Sequence, residues 1–286
     1  MDNQQPNDAA NGGATMLPRL TGLRYVVPLR EGGSLPAVVD TDAGPFVVKF
    51  RGAGQGAKAL VAEALAAGLA QALGLPIPGS AVISLDADFG EREPDPEIQD
   101  ILRGSVGTNF GLAYLSGALS YDPAVDHEMD PDLAAAILWF DAYITNVDRT
   151  ARNTNMLLWR GKLWLIDHGA SLFFHHRWEG WESRVQSPFP QIKDHVLLAR
   201  AGDLSAADAR LRPLLTDNAI RAIVNAVPDG WLGGEAIFPD LAAHREAYVT
   251  YFTERLHGPR RWLQEAQEAI GRGPERLAPR FTHRVV

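Results

Sequence analysis

The segment NVDRTARNTNMLLWRGKLWLIDHG, residues 146–169, carries the side chains best suited to chemistry. Two aspartates, Asp148 and Asp167, and the asparagines Asn153 and Asn155 surround a run of apolar residues. Carboxylate and amide oxygens are ligands that Mg²⁺ prefers, and the ion usually keeps waters or substrate phosphates as its other ligands. The segment therefore raises the possibility of a magnesium site, provided that these side chains meet.

Two apolar stretches, 156–159 and 163–166, predict an antiparallel hairpin. A three-residue connection, Arg160-Gly161-Lys162, would place Asn155 opposite Asp167. A two-residue connection would shift the pairing by one position. The sequence leaves both registers open.

In the two-residue register, Asn153 lies opposite His168. In either register the first asparagines and Asp167 reach the same end of the hairpin, and Asp148 reaches it from the end of the preceding helix. A metal held by amide and carboxylate oxygens, with Asp148 free to orient or deprotonate a hydroxyl, is the arrangement of a phosphotransferase. Each residue type is also a common cap or turn residue, so the hypothesis depends on the whole set.

The order Asp148-Arg149, Asn153 and Leu165-Ile166-Asp167-His168-Gly169 resembles the catalytic and metal-binding loops of the protein-kinase-like superfamily. With GGSLPAVVD, VVKF, LVAE and ALGLPIP in the first half, the chain is similar to the HipA-like kinases over roughly residues 18–176. The resemblance implies that Asp148 is the catalytic base and that Asn153 and Asp167 bind Mg²⁺.

The motif leaves the choice of asparagine ligand open and has a histidine at an unusual position. Asn155, which is followed at once by the strand, is the alternative metal ligand, and Asn153 is favoured because it keeps the D-x₄-N spacing. His168 stands where many kinases have phenylalanine.

A lysine and a glutamate in the first half fit the same resemblance. Lys49 lies in the predicted strand FVVKF on the face of Val47, and Glu63 is the only charged residue between Ala59 and Leu73 of a predicted helix. The resemblance implies that Lys49 contacts the ATP phosphates and that Glu63 orients Lys49. The structural alternative is a surface lysine and an exposed glutamate that pair with nothing.

The turn EGGS, residues 31–34, separates the first two predicted strands. By the resemblance, backbone N–H groups of Gly32, Gly33 and Ser34 would cover the ATP phosphates. HipA-like kinases phosphorylate a serine within this loop, and Ser34 occupies the matching place. We therefore expect Ser34 to be a self-phosphorylation site.

A second glycine-rich turn, GAGQG at residues 52–56, follows a predicted strand and precedes a predicted helix, as in a dinucleotide-binding unit. Its spacing is G-x-G-x-G, and the acidic Asp86 comes thirty residues after the last glycine rather than ~20. A nicotinamide or flavin site is therefore disfavoured.

These elements predict an α+β, two-lobed, protein-kinase-like fold. Residues 17–115 are expected to form a small β-rich N-terminal lobe with one long helix, and residues 116–286 a larger, mainly helical C-terminal lobe. Residues 1–16 are polar, lack the features of a signal peptide and are expected to form a disordered tail.

Several further segments have a predicted conformation. A helix is expected to begin at Asp130-Pro131, since Asp is a good N-cap and Pro suits the first position. The acidic segment 86–100 is expected to be a solvated insertion. Helices are also expected over residues 191–201, 216–226 and 234–270.

Composition excludes several classes of function. The chain has no cysteine, so disulfides, thiolate zinc sites and a cysteine nucleophile are excluded. A formal net charge of −8 disfavours nucleic acid as a partner. No apolar run reaches the ~18 residues of a membrane span, so no membrane partner is expected. The absence of cysteine suits a cytoplasmic protein, which is the predicted location.

The sequence thus predicts an ATP- and Mg²⁺-dependent kinase. The resemblance implies a protein serine or threonine as the acceptor. A small-molecule kinase on the same fold and a non-catalytic nucleotide-binding module are the alternatives.

Overall fold

The computed structural model describes residues 17–29, 35–91, 93–125 and 128–272. The predicted tail and the turn containing Gly32, Gly33 and Ser34 lie outside the described residues. In the described part, no helix has the length and apolar character needed to cross a membrane.

Eight strands form two sheets in the described part of the chain. They are β1 Arg19–Pro28, β2 Ala37–Thr41, β3 Gly44–Lys49, β4 Ser80–Leu85, β5 Gly107–Ala113, β6 Leu119–Ser120, β7 Met156–Trp159 and β8 Lys162–Leu165. The first sheet has the order β1-β2-β3-β5-β4 and is closed into a barrel by a short parallel pairing of β1 with β4. The second sheet has the order β6-β7-β8.

The topology of the first sheet bears on the dinucleotide-binding alternative. Strand β5 lies between β3 and β4 and is antiparallel to both. The strands on either side of the GAGQG turn are therefore not hydrogen-bonded to each other, as they would be in a parallel βαβ unit.

Eight α-helices complete the described fold. They are α1 Gly56–Ala72, α2 Pro96–Arg103, α3 Pro131–Ile144, α4 Leu204–Leu211, α5 Asp217–Asn225, α6 Asp229–Leu232, α7 Leu241–His257 and α8 Arg261–Arg272. Mixed strands and helices in this arrangement agree with the predicted α+β class.

Helix α1 is buried on every side. Its residues Ala59 to Ala70 are all buried, because the helix packs between β5 on one side and α5 and α6 on the other. A helix that is apolar all round must be enclosed in this way. The helix ends before Gly74, whose φ of +69° allows the left-handed turn that closes it.

The strand face decides where Lys49 points. Phe46 and Val48 belong to the apolar cluster inside the first sheet, together with Ile83 and Leu102. Because side chains alternate along a strand, Lys49 lies on the opposite face, toward α1.

Helix α3 begins as predicted. The Asp130 carboxylate accepts a hydrogen bond from the backbone N–H of Asp132, and Pro131 occupies the first position. The helix ends at Thr145, whose φ of +53° turns the chain sharply. The candidate catalytic segment begins at this turn.

The prediction of a helix over 191–201 is wrong. The segment forms two 3₁₀ turns, Pro190–Asp194 and Leu198–Arg200, with His195 extended between them. Val196 N–H donates to the carbonyl of Arg149 at 3.1 Å. Pairing with the candidate catalytic segment therefore replaces the helical hydrogen bonds.

The prediction that residues 234–270 are largely helical is confirmed. The region forms two long helices, α7 and α8, which are separated at Pro259 because this residue lacks the N–H that would continue the first. The acidic segment 86–100 is not wholly an insertion, because its last residues form the start of α2. Asp95 caps this helix by accepting a hydrogen bond from the N–H of Glu97. Leu102 packs the helix against the first sheet.

Candidate active site

The hairpin of β7 and β8 has the two-residue register. Trp159 pairs with Lys162, and Arg160 and Gly161 form the turn with φ values of +50° and +73°. Two consecutive positive φ values are typical of the turn that matches strand twist in tight hairpins. The pairing fixes which residues meet at the open end.

At the open end, the hairpin ladder ends with two strained residues. Ile166 N–H donates to the carbonyl of Asn155 at 3.0 Å. Asn155 and Asp167 then take left-handed φ values of +48° and +53°. Non-glycine residues adopt this conformation infrequently, and such residues concentrate at functional sites.

Asp148 lies at the same place. Its Oδ2 accepts a hydrogen bond from Asn153 Nδ2 at 2.7 Å and a longer one from Asn155 Nδ2 at 3.5 Å. Asn155 Nδ2 also lies 3.3 Å from the carbonyl oxygen of Asp167. The side chains of Asp148, Asn153 and Asn155 are therefore brought together beside the backbone of Asp167, with Asn153 exposed and Asn155 buried.

Lys49 joins this group from the first sheet. Its Nζ lies 2.5 Å from Asp167 Oδ1 and also donates to Glu63 Oε1, which is completely buried. The alternative of an exposed lysine and glutamate without partners is therefore wrong. Gly169 borders the pair so closely that an added Cβ would lie 3.3 Å from Glu63 Oε1 and 3.4 Å from Lys49 Nζ.

The charged side chains of this group shift one another's pKa values. Burial alone would lower the pKa of Lys49, but the neighbouring Glu63 and Asp167 raise it above its ordinary value. Burial alone would raise the pKa of Asp167, but Lys49 lowers it. Lys49 is thus a cation and Asp167 an anion at neutral pH.

Arg149 links the candidate catalytic segment, which begins after α3, to the hairpin. It is 1% exposed, its Nε donates to Asp141 Oδ2 at 2.6 Å, and its Nη1 donates to the carbonyl of Asn155. Nη1 also lies 3.5 Å from the carbonyl of Ile166. One guanidinium therefore fixes both strands of the hairpin end relative to α3.

Asp141 is the anion at the centre of this network. It also accepts hydrogen bonds from Asn146 Nδ2 and His195 Nε2, each at 2.9 Å. Neither Asp141 nor His195 was predicted as part of the site. The sequence indicates a buried role for Asp141 in one way only: Asp141 is the only charged residue between Leu133 and Ile144 of an apolar helix.

His168 occupies the buried space between Arg149 and Glu63. Its Nε2 lies 2.8 Å from Arg149 Nη2, and its Nδ1 lies 4.0 Å from Glu63 Oε2. Burial, together with the charge of Arg149, lowers the pKa of His168 to about 3. The imidazole is therefore neutral at physiological pH.

The donor set is compatible with Mg²⁺. Asp167 offers a carboxylate that is 43% exposed, and the asparagine amides retain their oxygens when their nitrogens donate to Asp148. Within the described ranges, no cluster of three or more His, Asp or Glu side chains suits a metal. A bound ion would thus need ligands such as phosphate oxygens and water, as Mg²⁺ commonly does.

Comparison with known proteins places this geometry in context. Residues 30–246 match the family described as HipA-like kinase, which covers more than half of the chain. Six chains of solved structures match. One is a crystal structure of a Helicobacter pylori proinflammatory kinase, CtkA, with a TM-score of 0.55 and 13% identity over 89% of this chain and 98% of that chain. No curated protein matches.

Proposed function

The chain belongs to the HipA-like kinases, as its motifs predict, and we propose that it is an ATP- and Mg²⁺-dependent phosphotransferase acting on a protein serine or threonine. The fold and the family are those of a kinase. The observation that carries the proposal is the convergence of Lys49, Asp148 and Asp167, which arrive from different elements of the fold.

The proposed roles follow from charge and position. Lys49, held by Glu63, would turn its ammonium toward the α- and β-phosphates of ATP. Asp167 would hold the metal, with Asn153 as the favoured amide ligand and Asn155 as the alternative. Mg²⁺, when bound, would neutralise charge on the phosphate oxygens.

Asp148 would act on the acceptor. Its carboxylate is half-buried and held by Asn153, so one face remains for a hydroxyl group. Orienting that hydroxyl and accepting its proton are the steps that the chain itself must supply. Little other covalent chemistry is required, because phosphoryl transfer depends mainly on positioning and charge neutralisation.

We also propose that the chain forms two lobes. We assign residues 17–115, with the five-stranded sheet, α1 and α2, to an N-terminal lobe, and residues 116–286 to a C-terminal lobe. The nucleotide would then lie where Lys49, from the sheet, meets Asp167, from the hairpin.

The acceptor is proposed from family membership. HipA-like kinases phosphorylate a serine in the glycine-rich turn, so Gly32 and Gly33 would lie over the phosphates and Ser34 would be phosphorylated. Intact mass before and after incubation with ATP tests this, with Ser34→Ala beside wild type. Equal phosphate uptake by both proteins would refute the assignment of Ser34.

A turnover assay tests the proposed function. We expect Asp148→Ala and Asp167→Ala to abolish ATP turnover, and Asp167→Ala also to lose Mg²⁺-dependent nucleotide binding. Asp88→Ala is a matched control, since this aspartate is exposed and lies outside the site. Unchanged turnover in either site variant would refute the assignment. A survey of lysate proteins phosphorylated by the enzyme would then identify the acceptor class.

A further inference from the structure

His168 has an unusual environment for a residue next to a candidate metal ligand. Its side chain is completely buried and meets the ring of Phe140 edge-on, with centroids 5.8 Å apart. On one side lies the guanidinium of Arg149, and on the other lies the carboxylate of Glu63. A phenylalanine would fill the same space without using either polar neighbour.

The hydrogen bond from Arg149 determines which imidazole nitrogen carries the proton. A guanidinium can only donate, so Nε2 of His168 must be the acceptor in the 2.8 Å contact with Nη2. A neutral imidazole has one N–H, which therefore resides on Nδ1. That N–H faces Glu63.

Two buried polar atoms face each other without a partner. Among the residues that the structure describes, neither His168 Nδ1 nor Glu63 Oε2 has a side-chain hydrogen-bond partner, and 4.0 Å separates them, while the backbone N–H of His168 also interacts with Glu63. Unpaired buried polar atoms cost free energy, and a shift of about 1 Å would bring this donor and acceptor to hydrogen-bond distance. The other oxygen of Glu63 is already bonded to Lys49.

We propose that His168 is a positioning residue that donates from Nδ1 to Glu63 and so ties the Lys49–Glu63 pair to Arg149 of the catalytic segment. This inference rests on the proposed function. In the structure, Lys49 is shared between Glu63 and Asp167. If Asp167 held a metal and Lys49 contacted the phosphates, Glu63 alone would hold Lys49, and His168 would hold Glu63.

Three substitutions at His168 separate the two hydrogen bonds from simple packing. His168→Phe keeps a ring and loses both bonds. His168→Asn keeps a donor near the position of Nδ1, and His168→Gln keeps an acceptor near the position of Nε2. We expect His168→Phe to raise the KM for ATP about tenfold, because the hydrogen bond to Glu63 is the one of the two that supports Lys49, and we expect His168→Asn to restore part of that loss. His257→Phe is the control, since His257 is exposed and lies on α7.

A double-mutant cycle tests the link to Glu63. If His168 acts through Glu63, His168→Phe should change the KM for ATP much less in a Glu63→Gln background than in wild type. Equal fold-changes in the two backgrounds would overturn the inference, and so would an unchanged KM in an active His168→Phe protein. Thermal unfolding of each variant shows whether the protein is folded.

The position of the proton is measurable without ATP. Long-range ¹H–¹⁵N NMR of the imidazole, assigned with His168→Gln, is expected to show the proton on Nδ1. A proton on Nε2, or on both nitrogens, would overturn the inference even if the His168→Phe protein fails to fold. Wild-type protein without ATP turnover would refute the proposed function and with it the role of His168, whereas the NMR result would still decide the local geometry.

Discussion

Lys49 Nζ lies 2.5 Å from Asp167 Oδ1, although 118 residues separate the two in the chain. This contact joins the end of β3 to the end of the β7–β8 hairpin. Glu63 holds the same ammonium from α1. The first sheet, its packed helix and the hairpin therefore meet at one buried cation.

Substitutions in the Lys49–Glu63 pair can separate its effect on protein stability from its effect on nucleotide binding. Lys49→Met leaves the completely buried Glu63 without its cation, which is expected to lower the free energy of unfolding by about 3 kcal/mol. Lys49→Met combined with Glu63→Leu replaces the pair with apolar groups and is expected to recover much of that stability. Neither protein should bind Mg·ATP.

Urea unfolding and nucleotide titration measure the two effects. Arg24→Met is a control, since Arg24 forms an exposed ion pair with Asp40 and should change little. A Lys49→Met protein that binds Mg·ATP as wild type does would contradict the assigned role.

The two asparagines are expected to differ in their effects. Asn153 is exposed, and among the described residues its side chain forms a hydrogen bond only with Asp148. Asn153→Ala should therefore raise the Mg²⁺ concentration needed for half-maximal activity and change the free energy of unfolding by no more than about 0.5 kcal/mol. Asn155 is buried and left-handed, so Asn155→Ala should reduce both stability and activity. Magnesium titrations of turnover, with unfolding curves, distinguish them. A shift in Mg²⁺ dependence for Asn155→Ala alone would make Asn155 the metal ligand instead.

The Asp141 network predicts a pH dependence of stability. Burial alone would raise the pKa of Asp141, but Arg149 and His195 outweigh burial and hold that pKa below its usual range. A carboxylate with a lowered folded-state pKa stabilises the protein above its unfolded-state pKa, near 4, and loses that contribution as pH falls through the folded value. Stability should therefore fall steeply below about pH 4.

Asp141→Asn tests the origin of that acid sensitivity. The variant should be less stable than wild type at pH 7, because Arg149 loses its anion, and its stability should fall less between pH 4 and pH 2. Urea unfolding at a series of pH values measures the slopes. The same slope in both proteins would mean that other carboxylates dominate acid unfolding.

Local patterns in the sequence predict much of the site. The cap at Asp130, the hairpin and the strand face of Lys49 depend on neighbouring residues, and each forms as expected. The sequence leaves the hairpin register open, because two- and three-residue connections both suit Arg160-Gly161-Lys162. Positive φ at Arg160 and Gly161 selects the shorter one.

Contacts between distant segments were not predictable in the same way. His195 reaches Asp141 across 54 residues, and a helical pattern around it gave the wrong local structure. A single acid in an apolar helix indicates that a buried partner exists, but it does not identify the partner. The proposed role of His168 depends on Arg149 and Glu63, which come from other parts of the chain, so the sequence around His168 does not predict it.

We propose that Asp167, an asparagine amide and Asp148 surround a metal beside the nucleotide phosphates. A crystal grown with Mn²⁺ and a non-hydrolysable ATP analogue tests it most directly, since the anomalous signal of manganese marks the ion. We expect the peak at ~2.2 Å from an Asp167 oxygen, near Asn153 or Asn155, with Lys49 turned to the phosphates. A nucleotide bound elsewhere, or an ion more than ~5 Å from Asp167, would refute this metal site.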